Sequence, residues 1–122
     1  LHWPYGLSEI DGRLVVCDTG NRRLLVWNDP VETGQPADLA LGQDCFTCRD
    51  ENAGGPVSAR SMRWPHMATG WRGGLAVADA GNNRVMVWSS FPQANGQPAD
   101  SLVGQARMTD CDLNRGAYYP SS

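Results

Sequence analysis

The sequence contains no lysine: all ten basic residues are arginine, and they fall singly or in the one pair Arg22-Arg23. Thirteen acidic residues leave a net charge of −3. Nucleic-acid surfaces need cations clustered along a phosphate track, so scattered arginines on an acidic chain argue against such a partner. No apolar run approaches the ~18 residues of a membrane span, and none is expected. The start, Leu1-His2-Trp3-Pro4, lacks both an initiator Met and the charged-then-apolar pattern of a signal peptide; the compartment stays open. Gly and Pro together number 22 and interrupt the chain too often for an amphipathic helix. No Ser-His-Asp or Cys-His constellation and no glycine-rich phosphate cradle is visible. No catalytic set is therefore read and no cofactor is assigned. What remains, 41% hydrophobic and 19% charged in 122 residues, describes a globular chain and excludes a disordered one.

The four cysteines divide into two kinds. Cys17 ends the apolar run Leu14-Val15-Val16-Cys17 and reads as a small buried thiol. Cys45-Phe46-Thr47-Cys48 is a C-x-x-C. A haem attachment would need His where Arg49 stands, a zinc site would need a second pair where Cys111 is single, and a thioredoxin-like role would need a helix N-terminus. A loop disulfide or free thiols remain, and the redox states of Cys45, Cys48 and Cys111 stay open.

What the chain has in abundance is itself. Trp3-Pro4 recurs 61 residues later as Trp64-Pro65, Asp18-Thr19-Gly20-Asn21-Arg22-Arg23 as Asp79-Ala80-Gly81-Asn82-Asn83-Arg84, and Val26-Trp27 as Val87-Trp88. Gly34-Gln35-Pro36-Ala37-Asp38 then recurs 62 residues later as Gly96-Gln97-Pro98-Ala99-Asp100, after one insertion in the loop. The chain is two repeats, 1–61 and 62–122, and repeats of this period point to stacked units. Each unit predicts four strands: near 4–9 and 65–71; Arg13–Cys17 and Gly74–Ala78; Leu24–Trp27 and Val85–Trp88; Asp38–Leu41 and Asp100–Val103.

The second and third strands are apolar at successive positions, so both faces of each sheet must be covered. Small four-stranded antiparallel sheets stacked around an axis meet that demand, which makes the expected fold an all-β propeller with two blades in this chain. Two blades leave an apolar face of several hundred Å² on each side, in the range of an association surface. Three copies giving six blades are expected first, two giving four second. The remaining blades of a longer polypeptide are the other expectation, suited by the start without Met and the end at Ser121-Ser122, where a third Trp-Pro would fall.

In the turn between strands two and three, Asp18 and Asp79 are expected to accept hydrogen bonds from amides just downstream. Gly20 and Gly81 are expected to take positive φ, and Arg23 and Arg84 to reach back to the aspartates. Asn21 and Asn82 complete the structural turn, and Arg22 and Asn83, which differ between repeats, are expected to face solvent. Trp27 and Trp88 are assigned to packing.

These segments resemble the NHL repeat, in which an apolar strand, Asp-x-Gly-Asn-x-Arg and a second apolar strand follow one another. Leu14 to Leu24 and Leu75 to Val85 carry that pattern, and the resemblance, openings and tails included, extends over nearly the whole chain. Pro4-Tyr5-Gly6 fits the family's Pro-x-Gly opening, whereas Pro65-His66-Met67 departs from it. The Gly-Gln-Pro-Ala-Asp tail resembles a bacterial branch with long blades. The resemblance implies a propeller of about six blades and a choice among protein-binding platforms, RNA-binding surfaces, extracellular sensors and a few lyases or hydrolases.

The expectation is a non-enzymatic scaffold for a protein or small-molecule ligand, with candidate binding residues Tyr5, Arg22, His66, Arg72 and Asn83 on the channel or loop face. The alternative is part of a metal-dependent lyase or hydrolase whose centre forms only in a closed ring. There His66, the weak metal candidate, would appear three times around a threefold axis; the repeat mate of His2 is Arg63, so both blades do not contribute. Exposed Tyr118-Tyr119 could anchor a partner. The long loop that recurs from Asp44 and from Ala106 is assigned to bridging neighbouring units at least as readily as to ligand binding, and Asp50-Glu51 to solvent.

Overall fold

The computed structural model describes residues 1–29 and 32–120; Ser121 and Ser122 lie outside them. Eight strands form two four-stranded antiparallel sheets, each a simple meander. The first holds β1 (Pro4–Ile10), β2 (Arg13–Asp18), β3 (Arg23–Trp27) and β4 (Leu39–Leu41). The second holds β5 (Pro65–Trp71), β6 (Gly74–Asp79), β7 (Arg84–Trp88) and β8 (Ser101–Val103). Each fourth strand starts one residue later than the sequence predicts. Asp38 and Asp100 stay outside the strand, where their carboxylates accept the amides of Asn28 (2.9 Å) and Ser89 (2.6 Å). Bonds from the Ser89 amide and hydroxyl hold the Asp100 carboxyl below the usual range.

Local chemistry closes the hairpins. Asp11-Gly12 (φ 50° and 79°) and Arg72-Gly73 (φ 50° and 80°) put two successive left-handed residues between first and second strands. That reversal matches the strand twist and favours Gly in its second place.

The sheets pack face to face. Alternation puts Val15, Cys17, Leu24, Val26, Leu39 and Leu41 on one face of the first sheet. They meet Ala68, Leu75, Val77, Met86 and Trp88 of the second in one core, with Met62 between them. Burial pushes the Cys17 thiol up to about 11 against a weaker lowering by a backbone bond from Gly6. It is the buried thiol that the sequence predicts.

The opposite faces differ. In the first sheet Val16, Leu25, Trp27 and Ala40 are buried in a separate cluster, with Leu14 and Ala37 against it and the Trp27 indole anchored on the Gln35 carbonyl (3.2 Å). In the second, Ala76, Ala78, Val85 and Val87 are half-buried, while Val103 is 63% and Met67 53% exposed. The expectation of two bare faces is thus corrected: the first sheet covers much of its own outer face, and the second does not.

Three glycine positions allow close approach. A Cβ at Gly6 would lie 2.3 Å from the His66 carbonyl oxygen, so the first strands of the two sheets run together only because position 6 has no side chain. Gly20 and Gly81 do not take positive φ, contrary to expectation; Arg22 (φ 58°) and Asn83 (φ 53°) carry the left-handed turn. The glycines are needed for space, since a Cβ would meet His2 at 2.6 Å or Arg63 at 2.6 Å.

Candidate functional site

The Asp-x-Gly-Asn-x-Arg turn acts on the chain far upstream. Asp18 Oδ1 accepts the His2 amide at 2.6 Å, and Asp79 Oδ1 accepts the Arg63 amide at 2.9 Å. The expected downstream amides are not the donors. The other oxygen of Asp18 takes the Asn21 side chain (2.9 Å) and Arg23 Nε (2.8 Å); that of Asp79 takes Asn82 (2.7 Å) and Arg84 Nε (3.0 Å). Arg23 and Arg84 thus reach the aspartates as the sequence predicts. Burial would raise the Asp18 carboxyl, but the His2 amide, Asn21 and Arg23 outweigh it and hold it below its ordinary value. Backbone bonds complete each clamp, Gly20 N–H to the His2 carbonyl (2.8 Å) and Ala80 N–H to the Trp64 carbonyl (3.1 Å).

These clamps fix the residues around Trp3 and Trp64, and between the two tryptophans lies an open groove of about 560 Å³. Trp3, Pro4, Tyr5, Thr19, Trp64 and His66 line it, and its walls are mostly apolar. Trp3 is 72% and Tyr5 73% exposed. Tyr5 stacks on His66 with ring centres 4.7 Å apart and planes 17° apart. The Arg63 guanidinium sits 5.1 Å over the Trp64 ring, and Thr19 Oγ1 donates to the Pro65 carbonyl at 2.5 Å, tying the turn of one sheet to the first strand of the other.

Of the sequence candidates, Tyr5 and His66 come together here. Arg72 sits in the hairpin at the far end of its sheet, its guanidinium 5.3 Å over Trp71. Asn83 is exposed, as expected, and donates to the Cys111 carbonyl (2.9 Å). Arg22 is half-buried and donates to the carbonyls of Gly20 (3.3 Å) and Arg49 (3.0 Å), so it secures the long loop and does not simply face solvent. Cys45 and Cys48 form a disulfide, Cys17 and Cys111 are free, and Asp50 and Glu51 are exposed, as expected, with the Glu51 carboxylate 3.0 Å from Arg63 Nε. Tyr118 and Tyr119 are exposed and stack edge to face.

The groove's other members were not singled out in the sequence, where Trp3-Pro4 and Trp64-Pro65 served only as markers of the repeat. A tryptophan recurring directly before the first strand, outside the apolar runs, was the available signal. Among the described residues no group of three or more His, Cys, Asp or Glu is placed to hold one metal ion, and none of the helical turns is long and apolar enough to cross a membrane. Comparison with known proteins found no matching family model, no matching curated protein and no matching solved structure.

Proposed function

We propose that the sheets are consecutive blades of an NHL-type propeller and that the chain is a non-enzymatic module binding a protein or small-molecule ligand through the aromatic groove. One observation carries this reading: Trp3, Tyr5 and Trp64 stand in solvent, yet the backbone that carries them is clamped by buried carboxylates. Rigid, exposed aromatics around an apolar concavity lose little freedom on binding and supply most of the contact energy where proteins meet ligands. The apolar walls suit a ligand with flat or aliphatic surfaces. The resemblance of the turns to the NHL motif supports the architecture.

The test is binding to arrays of immobilised peptides and oligosaccharides by the wild type and by the Trp3→Ala/Trp64→Ala double variant. The wild type is expected to retain a defined subset, and the double variant to lose at least about tenfold in affinity for it, as for removal of an interface hot spot, with thermal unfolding little changed. An identical binding profile in both proteins would refute the reading. Metal analysis separates it from a lyase or hydrolase centred on the channel: stoichiometric zinc or calcium in the purified protein, lost on His66→Ala, would favour the enzyme.

A further inference from the structure

We infer that the Cys45–Cys48 pair is a thiol–disulfide exchange site open to an external dithiol, and that its reduction releases the Trp3 side of the aromatic groove. The second half rests on the reading of the groove as a binding site and supplies its regulation.

The bond does little for the fold. Its cysteines are three residues apart, a loop too short to restrict the unfolded chain much. The second repeat makes the same turn without it. The Cys48 amide donates to the Cys45 carbonyl at 3.3 Å, and at the mate positions the Asp110 amide donates to the Arg107 carbonyl at 3.0 Å. There an ion pair between the two side chains closes the turn. What sets the first closure apart is that a thiol can open it. Cys45 and Cys48 are half-buried among exposed neighbours, Asp44, Phe46, Thr47 and Arg49, whereas Cys17 is buried. A reductant reaches the pair without unfolding the sheet.

Thr47 gives the exchange a direction. Its hydroxyl lies 3.4 Å from Cys45 Sγ, and a disulfide sulfur carries no proton, so the hydroxyl is the donor. The same bond is stronger to a thiolate, which makes Cys45 the better leaving group. A reductant thiolate therefore attacks Cys48 Sγ, and the electron pair of the broken S–S bond goes to Cys45 Sγ. The reductant's second thiol, as its thiolate, then attacks the reductant sulfur of the mixed disulfide and expels Cys48. The dithiol leaves as a disulfide, and its two electrons and two protons remain as the thiols of Cys45 and Cys48.

The opened segment is bounded, because the Gln43 side chain holds the Asp50 carbonyl at 2.8 Å. Inside that bound lie the acceptors of the first turn. The Phe46 carbonyl takes Arg23, and the Arg49 carbonyl takes Arg22 at 3.0 Å. Arg23 in turn holds Asp18, and Asp18 holds the His2 amide beside Trp3. Trp64 depends on a separate series, from the Met108 carbonyl through Arg84 and Asp79 to the Arg63 amide. No disulfide enters that series. Reduction therefore loosens one wall of the groove and spares the other.

The test uses the Cys111→Ser protein, freed of its other accessible thiol, with and without dithiothreitol. Alkylation and mass spectrometry should find Cys45 and Cys48 both modified while the protein stays folded; a bond that yields only on unfolding would overturn the exchange site. Residue-resolved amide exchange then follows Gly20, bonded to the His2 carbonyl, and Ala80, bonded to the Trp64 carbonyl. Gly20 should exchange at least about fivefold faster after reduction, the low end of coupling between sites, and Ala80 less than about twofold. Equal changes at both, or none at Gly20, would overturn the release. Cys45→Arg/Cys48→Asp, which carries the closure of the second repeat, should keep Gly20 protected in dithiothreitol; acceleration there as well would clear the bond of any part. Thr47→Ala should slow reduction about threefold, and an unchanged rate would overturn Cys45 as leaving group. None of these readouts needs a ligand, so a groove that binds nothing leaves them intact. Binding that depends on Trp3 and Trp64 but ignores dithiothreitol would overturn the regulation alone.

Discussion

The two repeats trace one backbone and hold it with different chemistry. The long loop of the first is closed by the Cys45–Cys48 disulfide; the corresponding positions of the second are Arg107 and Asp110, which form an ion pair at 3.1 Å. From these loops the Phe46 and Met108 carbonyls accept the guanidinium groups of Arg23 and Arg84. One covalent and one ionic closure therefore present the same acceptor to the same arginine. The turns differ more in depth than in kind: Asp79–Arg84 is fully buried, while Arg23 keeps 11% of its side chain in solvent. Arg84 also donates to the Ser58 and Ser61 carbonyls, in the segment that joins the repeats. The second turn is a hub for both repeats, and the first serves mainly its own.

That contrast can be broken in graded steps. Arg84→Ala leaves Asp79 buried with its charge and strands two linker carbonyls, so a loss of about 4 kcal/mol is expected. Arg23→Ala, whose partner is less isolated, should cost about half as much, and urea unfolding of the two variants checks the order. Equal losses would remove the distinction between hub and local turn. Gly6→Ala drives a methyl into the His66 carbonyl and should cost about 2–3 kcal/mol. Met67→Ala at the mate position stays within about 0.5 kcal/mol, as at an open surface.

Replacing Cys45 and Cys48 together by Ser should cost about 1–2 kcal/mol, since so short a loop constrains the unfolded chain only modestly. Arg107→Ala should cost less than about 0.5 kcal/mol, because an exposed pair is screened by water. Thermal melts with and without reductant separate these two. A separate test concerns acid. The Asp18 carboxyl is held below its ordinary value, so its contribution is present above the unfolded pKa and is lost as pH falls through the folded one. Asp18→Asn should lower stability at neutral pH and flatten the acid limb of the stability profile; an unchanged acid limb would count against the clamp.

Much of the fold was legible because the repeat appears twice and Gly and Pro mark its turns: the strand bounds fall within a residue or two. The ion pairs from Arg23 and Arg84 were legible too, since five residues across a tight hairpin leave little choice of partner. The donors to Asp18 and Asp79 were not. They belong to His2 and Arg63, each 16 residues upstream, and become neighbours only when the first strand lies beside the second. The reason for Gly20 and Gly81 was misread for the same cause, because a side chain arriving from elsewhere leaves no mark in local spacing. The groove was half legible: Tyr5 and His66 were candidates, but its walls come from both repeats and exist only once the sheets are stacked.

One residue difference separates the two first strands. Gly6 lets the His66 carbonyl pass within reach of its own backbone, while its repeat mate Met67 carries a side chain that stands 53% in solvent. The closeness of the two sheets at their first strands therefore depends on a single absent methyl, and any side chain restored at position 6 would act as a wedge between them.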